Sequence, residues 1–584
     1  MLILGINAYH GDVSAALLRD GELLGAVEEE RFCRIKHCAG FPEASIAACL
    51  EMAGVDAAAV DAFAVSRDPR AHLWRKAAFA LRHRPRLSLL RDRAGNAASV
   101  GRLAPTLAAS VGLDASWVSR RLHLVEHHAA HLASSYFASP FEESAVCAID
   151  GFGDFVSTSS GRAAGTSLTI DRRVFFPHSL GLLYLAVTQF LGFPHYGDEF
   201  KVMGLAPYGA LDFVEPLRRL ARVDAGGQVR LDLSYFSHWS GGMRMTWAGG
   251  EPAIGPVFTP KLADLLGPAR APSEPVTARH EAIAASLQKV YEESVFAVLR
   301  AVHARHPSPR LCLAGGCAMN SVANGKIRDE TPFADVYIQP AAGDNGTSLG
   351  AALHVWHAGG GSRRFQMRHA YWGPAFDDGA VAAAIEARGR HVEGRCVRRH
   401  LSDEGDLCRW TAARIADGKV VGWFQGRMEW GARALGNRSI VADPRRRDMR
   451  DIINVRIKFR ERFRPFAPSV AEEALDEYFV GAVPDPFMIQ VYPVRADKRD
   501  VIPAVTHVDG SGRLQTVSEA TNARYWRLIR AFADLTGVPV LLNTSFNENE
   551  PIVHAPAEAL DCFLRTDMDV LVMGGHVLEK MPGA

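Results

Sequence analysis

The chain has 584 residues, with 66 Lys and Arg against 65 Asp and Glu, and 48% of its residues are hydrophobic. This length predicts several packed domains, and the ordinary charged and aromatic fractions, 22% and 9%, exclude wholesale disorder. A formal net charge of +1 excludes a global attraction to nucleic acid or membranes, so any anion site must come from local clustering.

The chain start reads as a strand rather than as a secretory signal. MLILGINAYHGDVSAALL lacks a basic first segment and a small-residue cleavage site. No run of about 18 apolar residues predicts a membrane span. The nine cysteines are scattered and form no CxxC motif. We therefore expect a cytoplasmic protein with reduced thiols, no structural zinc and no membrane association.

The first 54 residues predict three strands followed by a helix. The apolar runs LILGINA, VSAALLRDG and ELLGAVEEE are separated by turns at Gly11 and at Asp20-Gly21. A helix is predicted over about residues 42–53, ending at Gly54. The strand–turn–strand pattern returns at residues 144–172, and an Asp at the turn of each unit predicts a duplicated nucleotide-binding core.

Residues 67–102 have a separate, basic character. They hold ten Lys or Arg and two acids, a local net charge of +8, and Trp74 and Phe79 lie among them at roughly helical spacing. One interpretation is an inserted, solvated helical segment over about residues 67–120. The other is a docking surface for an acidic partner or an anionic substrate.

The main domain boundary is predicted near residue 365. AGGGSRRFQ, residues 358–366, has the composition of a linker. A new compact unit begins soon after it, at AYWGPAF. We therefore predict one domain over residues 1–365 and a second over residues 366–584.

A pair of histidines in VEHHAAH is a candidate metal site. His127 and His131 are four residues apart, so a helix would place both imidazoles on one face, able to bind one ion. A pair of histidines with ordinary hydrogen bonds is the alternative. Asp150 at a strand end and Asp344 before an apolar helix are carboxylates that could converge on the pair. Two His with carboxylates suit a divalent iron, manganese or zinc ion.

A strand-to-helix turn follows in LAGGCAMNSVANGKI. Its Gly315-Gly316 pair would let a nucleotide approach the backbone, and the following helix N-terminus favours anions. The same pattern is also common in turns that bind nothing, so both interpretations stay open here.

The C-terminal half contains a dense basic cluster. Residues 427–464 hold twelve Lys or Arg and five acids, a local net charge of +7, with interspersed glycines. The planar fork of Arg suits phosphate, so the cluster predicts a polyanion cradle. Nucleic acid is the rival ligand, but few aromatic residues are available there for base stacking. A later segment adds Arg513. Another adds Asn543, Thr544, Ser545 and Asn547, whose small hydroxyls and amides can orient a phosphate or a carbamoyl amide.

Eight motifs in chain order resemble the NodU/CmcH-type O-carbamoyltransferases, which modify natural products. They are EEERFCRIKHCAGFP, VEHHAAH, DEFKVMGLAPYG, GGCAMNSVANGKI, GRMEWGARALGNRSIVADPR, FRERFRPFAPSV, IPAVTHVDGSGRLQTV and LNTSFNENEPIV. The matches extend from the N-terminus to about residue 575. The sequence departs from the family pattern GPRALG, with Ala432 in place of Pro, which puts the rigidity of that loop in doubt.

The resemblance implies an α/β protein with two different domains. The N-terminal domain would have the metal-binding, actin/Hsp70-like (ASKHA) fold of the threonylcarbamoyl transferases, and the C-terminal domain a YrdC-like fold. It also implies the reaction: carbamoyl phosphate and ATP, with Mg, would form carbamoyl-adenylate in the C-terminal domain. In the N-terminal domain a hydroxyl of a small-molecule, antibiotic-type acceptor would then attack the carbamoyl carbonyl, and AMP would leave.

The resemblance also assigns residues. His127, His131 and Asp344 would hold the metal, which we expect to be Fe(II), with Mn and Zn as alternatives. Asp150 would be either a further ligand or a contact to the adenylate, and Asn320 and Asn345 would lie near the nucleotide. ATP and carbamoyl phosphate would be bound by a basic and polar set in the C-terminal domain: Arg433, Lys458, Arg464, Arg513, Asn543 and Ser545.

His10, in the turn NAYHGD, is the candidate general base for the acceptor hydroxyl, because a near-neutral pKa suits histidine to that task. A turn histidine that only holds its loop is the alternative. Lys36 is a candidate contact to the substrate or the intermediate.

Two other functions stay open. An N-carbamoyl or threonylcarbamoyl transferase acting on a nucleoside or tRNA would use the same chemistry, although we expect no nucleic-acid partner. A catalytically silent nucleotide sensor on the same fold is the second. A homodimer is also left open.

Overall fold

The computed structural model describes residues 1–83, 100–240, 245–246 and 250–581. The chain divides into two compact units, Met1–Met367 and Arg368–Ala584. Each unit mixes helices with sheets, which confirms the predicted α/β class. Part of the predicted basic insertion lies outside the described residues: Arg84, Arg86, Arg91 and Arg93.

Two five-stranded sheets form the framework of the first unit, with strand orders β3-β2-β1-β4-β5 and β8-β7-β6-β13-β14. The strands of this unit are β1 (Leu2–Asn7), β2 (Ser14–Arg19), β3 (Glu22–Glu28), β4 (Ala62–Val65), β5 (Leu122–Leu124), β6 (Glu143–Gly153), β7 (Val156–Ala164), β8 (Ser167–Phe175), β9 (Ala221–Val223), β10 (Val229–Leu231), β11 (Met245–Thr246), β12 (Ala253–Ile254), β13 (Arg310–Ala314) and β14 (Asp335–Tyr337).

The two sheets share one topology. In each, the first three strands pair antiparallel, and the two later strands add in parallel beside the first. The chain therefore repeats one design, as the recurring strand–turn–strand pattern predicted. This duplicated arrangement confirms the expected actin/Hsp70-like fold of the first unit.

The turns form where the sequence predicted them. Asp20 and Gly21, between β2 and β3, both have positive φ, 51° and 85°, which a tight two-residue hairpin requires. The predicted end of the helix after these strands is also confirmed, because the helix Glu43–Ala53 ends at Gly54, which has a left-handed conformation.

The helices of the first unit cover and connect these sheets. They are α1 (Glu30–Cys33), α2 (Glu43–Ala53), α3 (Leu73–His83), α4 (Leu103–Val111), α5 (Ala115–Ser119), α6 (His127–Tyr136), α7 (Leu180–Phe190), α8 (Glu199–Leu205), α9 (Val214–Arg218), α10 (Ala263–Leu266), α11 (Ala278–Arg305), α12 (Ser321–Glu330) and α13 (Thr347–Ala358).

Helix α13 packs against both β1 and α6 at glycine contacts. A Cβ on Gly5 of β1 would lie 1.9 Å from the carbonyl oxygen of Ser348 in α13. A Cβ on Gly350 would lie 1.8 Å from the carbonyl oxygen of Ala130 in α6. Only glycine allows backbones to approach this closely. The contact fixes α13 against the helix that carries His127 and His131.

The second unit is built on a nine-stranded sheet of order β15-β23-β22-β16-β17-β21-β18-β20-β19. Its strands are β15 (Cys396–His400), β16 (Val421–Phe424), β17 (Arg438–Ala442), β18 (Ala467–Ala471), β19 (Gln490–Pro493), β20 (Ser511–Val517), β21 (Val540–Ser545), β22 (Val570–Met573) and β23 (His576–Lys580). Its helices are α14 (Asp378–Ala387), α15 (Gly389–Val392), α16 (Glu404–Ala416), α17 (Met449–Ile453), α18 (Leu475–Tyr478), α19 (Glu519–Thr536) and α20 (Pro556–Arg565).

The central strands of this sheet are apolar on both faces. β16 and β22 are buried along their whole length, and helices α16, α19 and α20 contribute to the same hydrophobic core. This pattern is typical of a sheet covered by helices on its two sides. Among the residues that the structure describes, no helix has the length and apolar character needed to cross a bilayer.

The glycine contact between α13 and α6 can be tested by substitution. We expect Gly350→Ala to lower the free energy of unfolding of the first unit by about 1–3 kcal/mol, because the added methyl group must displace the α6 backbone. Denaturant unfolding of the full-length chain measures the change. Gly101→Ala is the matched control, because a Cβ there meets no atom of a described residue within 4 Å. Equal stabilities of the two variants would contradict the close-packing argument.

Candidate functional site

Four buried residues of the first unit converge on one point. His127 and His131 come from the first turns of α6, Asp150 from β6, and Asp344 from the 3-10 turn that precedes α13. Each offers a ligand atom within 4.8 Å of the others. All four side chains are at most 7% exposed. The structure thus brings together the four residues expected to form the metal site.

The distances within this cluster are close to those between neighbouring ligands of one ion. The Nε2 atoms of His127 and His131 each lie 3.4 Å from Oδ1 of Asp344. They lie 3.6 Å and 3.9 Å from Oδ2 of Asp150. Bonds of about 2.0–2.2 Å to a tetrahedral or octahedral ion keep adjacent donor atoms about 3.0–3.5 Å apart. The cluster therefore needs little rearrangement to bind a metal.

Unsatisfied polar atoms support the same interpretation. The Nε2 atoms of both histidines and Oδ1 of Asp344 are buried and have no hydrogen-bond partner among the described residues. Buried polar atoms are nearly always paired, and each exception calls for a cause. A divalent ion bound by His127, His131, Asp344 and Asp150 would satisfy all of these atoms, so the residues fit such an ion.

Local contacts hold the two histidines on one face of α6. The helix begins with Glu126 as its cap, whose carboxylate accepts the N–H of Ala129 at 2.8 Å. Asp154, after β6, accepts the N–H of His127 at 3.0 Å. A Cβ on Gly153 would lie within 1.9 Å of the His127 ring, so glycine is needed there. Asp154 and Gly153 are positioning residues that the sequence analysis missed, although they adjoin the predicted Asp150 turn.

The cluster is strongly polarised. Burial would lower the pKa of His127, but Asp150 and Asp344 hold it well above its usual value. Burial and the charge of Asp344 would raise the pKa of Asp150, but His127 and His131 lower it to about 2. Both carboxylates are therefore ionised at neutral pH and available as metal ligands.

Asp344 also contacts the candidate base. Its Oδ2 atom makes a short hydrogen bond to Nδ1 of His10, while Oδ1 faces the two histidines of α6. Burial would raise the pKa of Asp344, but His10, His127 and His131 hold it well below its usual value. With Nδ1 of His10 as the donor, Nε2 would carry the lone pair that a general base needs.

The remaining predicted residues of the first unit lie outside the cluster. Asn320 caps α12 and exchanges hydrogen bonds with Gln288 of α11, at 3.0 Å and 3.1 Å. The amide of Asn345 donates to Glu28 at 3.0 Å, so it ties the Asp344 turn to β3. Lys36 is exposed, in the turn between α1 and α2.

A loop between β16 and β17 organises the basic region of the second unit. The buried carboxylate of Glu429 accepts the backbone N–H groups of Leu435, Asn437 and Arg438 at 2.7–3.1 Å. Arg438 is fully buried and donates to carbonyl oxygens of the same loop, including that of Gly426 at 3.2 Å. These hydrogen bonds of Glu429 and Arg438 fix the loop that carries Arg433.

Four arginines come close together beside this loop. Burial lowers the pKa of Arg513 well below its usual value, and the charges of Arg433, Arg460 and Arg464 lower it further. Burial also lowers the pKa of Arg433 to about 10, against the effect of Asp485. Nitrogen atoms of three of these arginines are buried without a hydrogen-bond partner in the described part of the chain: Arg433, Arg460 and Arg513. Like charges at this density call for an anionic ligand.

Lys458 and the end of β21 form a second polar group in this unit. The buried ammonium of Lys458 contacts the backbone oxygens of Ser545 and Asn547, and lies 2.6 Å from the side-chain oxygen of Asn547. Asn543 is buried, and its amide donates to the carbonyl oxygen of Ala434 at 3.1 Å. Asn543 therefore holds the loop that carries Arg433 through a hydrogen bond to its backbone.

The sequence pattern did not identify Glu429 and Arg460 as parts of these groups. Arg460 was counted in the basic cluster, but its spacing from Arg464 could not show that both approach Arg513. Asn547 lies two residues after Ser545, inside the quoted motif LNTSFNENEPIV, so the motif contained a usable signal.

Comparison with known proteins gives consistent results for the two units. A family model described as the carbamoyltransferase N-terminus matches residues 2–353, and one described as the carbamoyltransferase C-terminus matches residues 412–580. An uncharacterized protein of Synechocystis is 41% identical over 99% of this chain and 96% of its own length. The nodulation protein NolNO of Sinorhizobium fredii is 41% identical over 98% of this chain and 80% of its own length. The solved structure of HypF from T. kodakarensis is 12% identical, with a TM-score of 0.30 over 61% of this chain and 47% of that one.

Adjacent histidines of α6 provide a test of the metal centre. We expect protein purified without chelator to contain a divalent metal that His127→Ala loses, because that substitution removes a ligand. His128→Ala should retain the metal. The ring of His128 hydrogen-bonds the carbonyl oxygen of Val156 at 3.0 Å, and burial lowers the pKa of His128 to about 3. Elemental analysis measures the content. An unchanged metal content in His127→Ala, or an equal loss in both variants, would reassign the site.

Proposed function

This chain belongs to the carbamoyltransferase family, and from that premise we propose that it is an ATP-dependent O-carbamoyltransferase. It would transfer the carbamoyl group of carbamoyl phosphate, through carbamoyl-adenylate, to a hydroxyl of a small-molecule acceptor. The observation that carries the proposal is the pairing of two different charged sites in one chain. One unit gathers carboxylates and imidazoles, and the other gathers arginines.

The second unit would form the adenylate. Water would cleave the P–O bond of carbamoyl phosphate, giving carbamate and inorganic phosphate. A carbamate oxygen would then attack the α-phosphorus of ATP, and pyrophosphate would leave. Both substrates are polyanions that repel each other, so the arginines around Arg513 and the ammonium of Lys458 would hold them at reacting distance. Mg bound to ATP would neutralise part of the remaining charge.

The first unit would carry out the transfer. The acceptor hydroxyl oxygen would attack the carbamoyl carbon, and AMP would leave as the C–O bond to its phosphate breaks. His10 would accept the hydroxyl proton at Nε2, and Asp344 would stabilise the resulting imidazolium through Nδ1. Asp344 thus serves both as a metal ligand and as the group that orients the base.

The metal would be held by His127, His131, Asp344 and Asp150. When bound, a divalent ion supplies Lewis-acid polarisation of a carbonyl or phosphoryl oxygen. Two imidazoles with carboxylates suit Fe(II), and also Mn(II) and Zn(II). Asn320 follows the Gly315-Gly316 pair and is bonded to Gln288 of α11. These residues would lie near the bound nucleotide.

The acceptor class separates this proposal from its rival, an N-carbamoyl or threonylcarbamoyl transferase acting on a nucleoside or tRNA. The rival would use an amine acceptor, whereas the proposed reaction uses a hydroxyl. Incubation with carbamoyl phosphate, ATP and panels of hydroxylated natural products and nucleosides would reveal the acceptor by a carbamoyl mass shift.

The adenylate route predicts pyrophosphate release without any acceptor. We expect wild-type protein to release pyrophosphate from ATP only when carbamoyl phosphate is present. Lys458→Met should reduce this release at least a hundredfold, because methionine lacks the ammonium group that would hold the two polyanionic substrates together. Lys419→Met is the control, since Lys419 is a half-exposed lysine paired with Asp569. A coupled pyrophosphate assay measures the rates. Wild-type protein that releases no pyrophosphate would refute the adenylate route.

Base catalysis by His10 predicts a separation of the two half-reactions. His10→Asn should keep carbamoyl-phosphate-dependent pyrophosphate release but lose acceptor carbamoylation at least a hundredfold, because an amide can bond to Asp344 without accepting a proton. His123→Asn, at an exposed histidine on β5, is the matched control. Acceptor carbamoylation by His10→Asn at the wild-type rate would eliminate the base role.

A further inference from the structure

A second group of metal-ligating side chains lies in the C-terminal unit, at the edge of its sheet. His400 is the last residue of β15, and His576 is the first residue of β23. The two strands pair antiparallel, with His400 directly opposite His576. Asp378, the first residue of α14, completes the group. None of these residues belongs to a motif named above, and the proposed carbamoyl chemistry does not use them.

The three side chains meet at short range. The imidazole centroids of His400 and His576 are 4.6 Å apart. Nε2 of His400 lies 3.3 Å from Oδ2 of Asp378, and the other oxygen of Asp378 accepts the N–H of Gly575 at 3.3 Å. One ligand atom from each residue lies within 4.8 Å of the other two. Two imidazoles and a carboxylate therefore face a common point.

An unsatisfied atom distinguishes this group from an ordinary hydrogen-bonded pair. His576 is only 8% exposed, and its Nδ1 atom has no hydrogen-bond partner in the described part of the chain. A hydrogen bond between His400 and Asp378 explains the position of those two residues, but it does not explain a second, buried imidazole beside them. Buried ring nitrogens in folded proteins are usually paired, so this atom is available to bind a ligand.

The geometry can close on an ion with small side-chain movements. His576 is fixed by burial, whereas His400 and Asp378 are 46% and 54% exposed and can rotate. Bringing the donor atoms from 4.8 Å or less to about 3.0–3.5 Å would allow bonds of about 2.0–2.2 Å. Two nitrogens and one oxygen suit a borderline ion such as Zn²⁺ better than Ca²⁺ or Mg²⁺, which prefer oxygen alone.

We propose that Asp378, His400 and His576 form a second metal site, for a divalent transition-metal ion of the Zn²⁺ type, that pins the edge of the C-terminal sheet. β15 is the edge strand, and four of its five residues are exposed. Edge strands carry unpaired backbone groups and are held less firmly than central ones. An ion bound across β15, β23 and the start of α14 joins three elements at their ends. Its remaining coordination positions are open to water.

Metal binding to the full-length, untagged protein tests this site. The His127→Ala/His131→Ala variant removes both imidazoles from the four-residue cluster of the first unit, which leaves only two carboxylates there. After removal of metals with a chelator, equilibrium dialysis against Zn²⁺ should show one ion bound per chain in this background. Adding His400→Ala should abolish that ion, and adding Asp378→Asn should weaken it at least tenfold. Adding His391→Ala, at an exposed histidine of the same unit, should change nothing.

Hydrogen exchange separates metal binding from a folding defect. In wild-type protein, Zn²⁺ should slow amide exchange in β15, and His400→Ala should abolish this effect while keeping the wild-type exchange rates of the metal-free protein. Zn²⁺ bound equally with and without His400→Ala would overturn the proposal. So would an unchanged exchange rate in β15 when Zn²⁺ is added to wild-type protein.

Discussion

The carboxylate of Asp344 is the interaction on which the first unit depends. One of its oxygens faces His127 and His131, and the other is bonded to His10. A buried carboxylate is costly unless its charge is compensated, and here the compensation comes from three imidazoles on two separate elements. The carboxylate therefore fixes the relative position of the candidate metal ligands and the candidate base.

The packing of the first unit follows from this constraint. Asp344 directly precedes α13, and α13 must approach both β1, which leads to His10, and α6, which carries the two histidines. Glycines at both contacts let the backbones come close enough for the side chains to meet. Asn345 and Ser14 then hold the turn to the first sheet through hydrogen bonds. Backbone proximity and charge compensation thus support the same arrangement.

Local patterns in the sequence predicted the elements, but contacts between distant segments decided the rest. The hairpin at Asp20-Gly21 and the helix with His127 and His131 depend on neighbours in the chain, so spacing alone could reveal them. Asp150 and Asp344 could be identified because the sequence predicts a strand end at the first and a helix start after the second, although β6 continues past Asp150 to Gly153. The convergence of Arg460 on Arg513 depends on long-range packing, which residue spacing does not encode. His400 and His576 are cross-strand partners that only the sheet register brings together.

The net charge of +1 over the whole chain conceals two sites of opposite charge, one rich in carboxylates and one rich in arginines. The first unit buries two ionised carboxylates whose free ligand positions favour a cation. The second gathers arginines whose pKa values fall because of burial and mutual repulsion. Neither arrangement is most stable alone, since each leaves buried polar atoms without a hydrogen-bond partner among the described residues. A ligand that supplies the missing charge recovers that cost on binding, so each site is built to gain more from its ligand than a neutral pocket would.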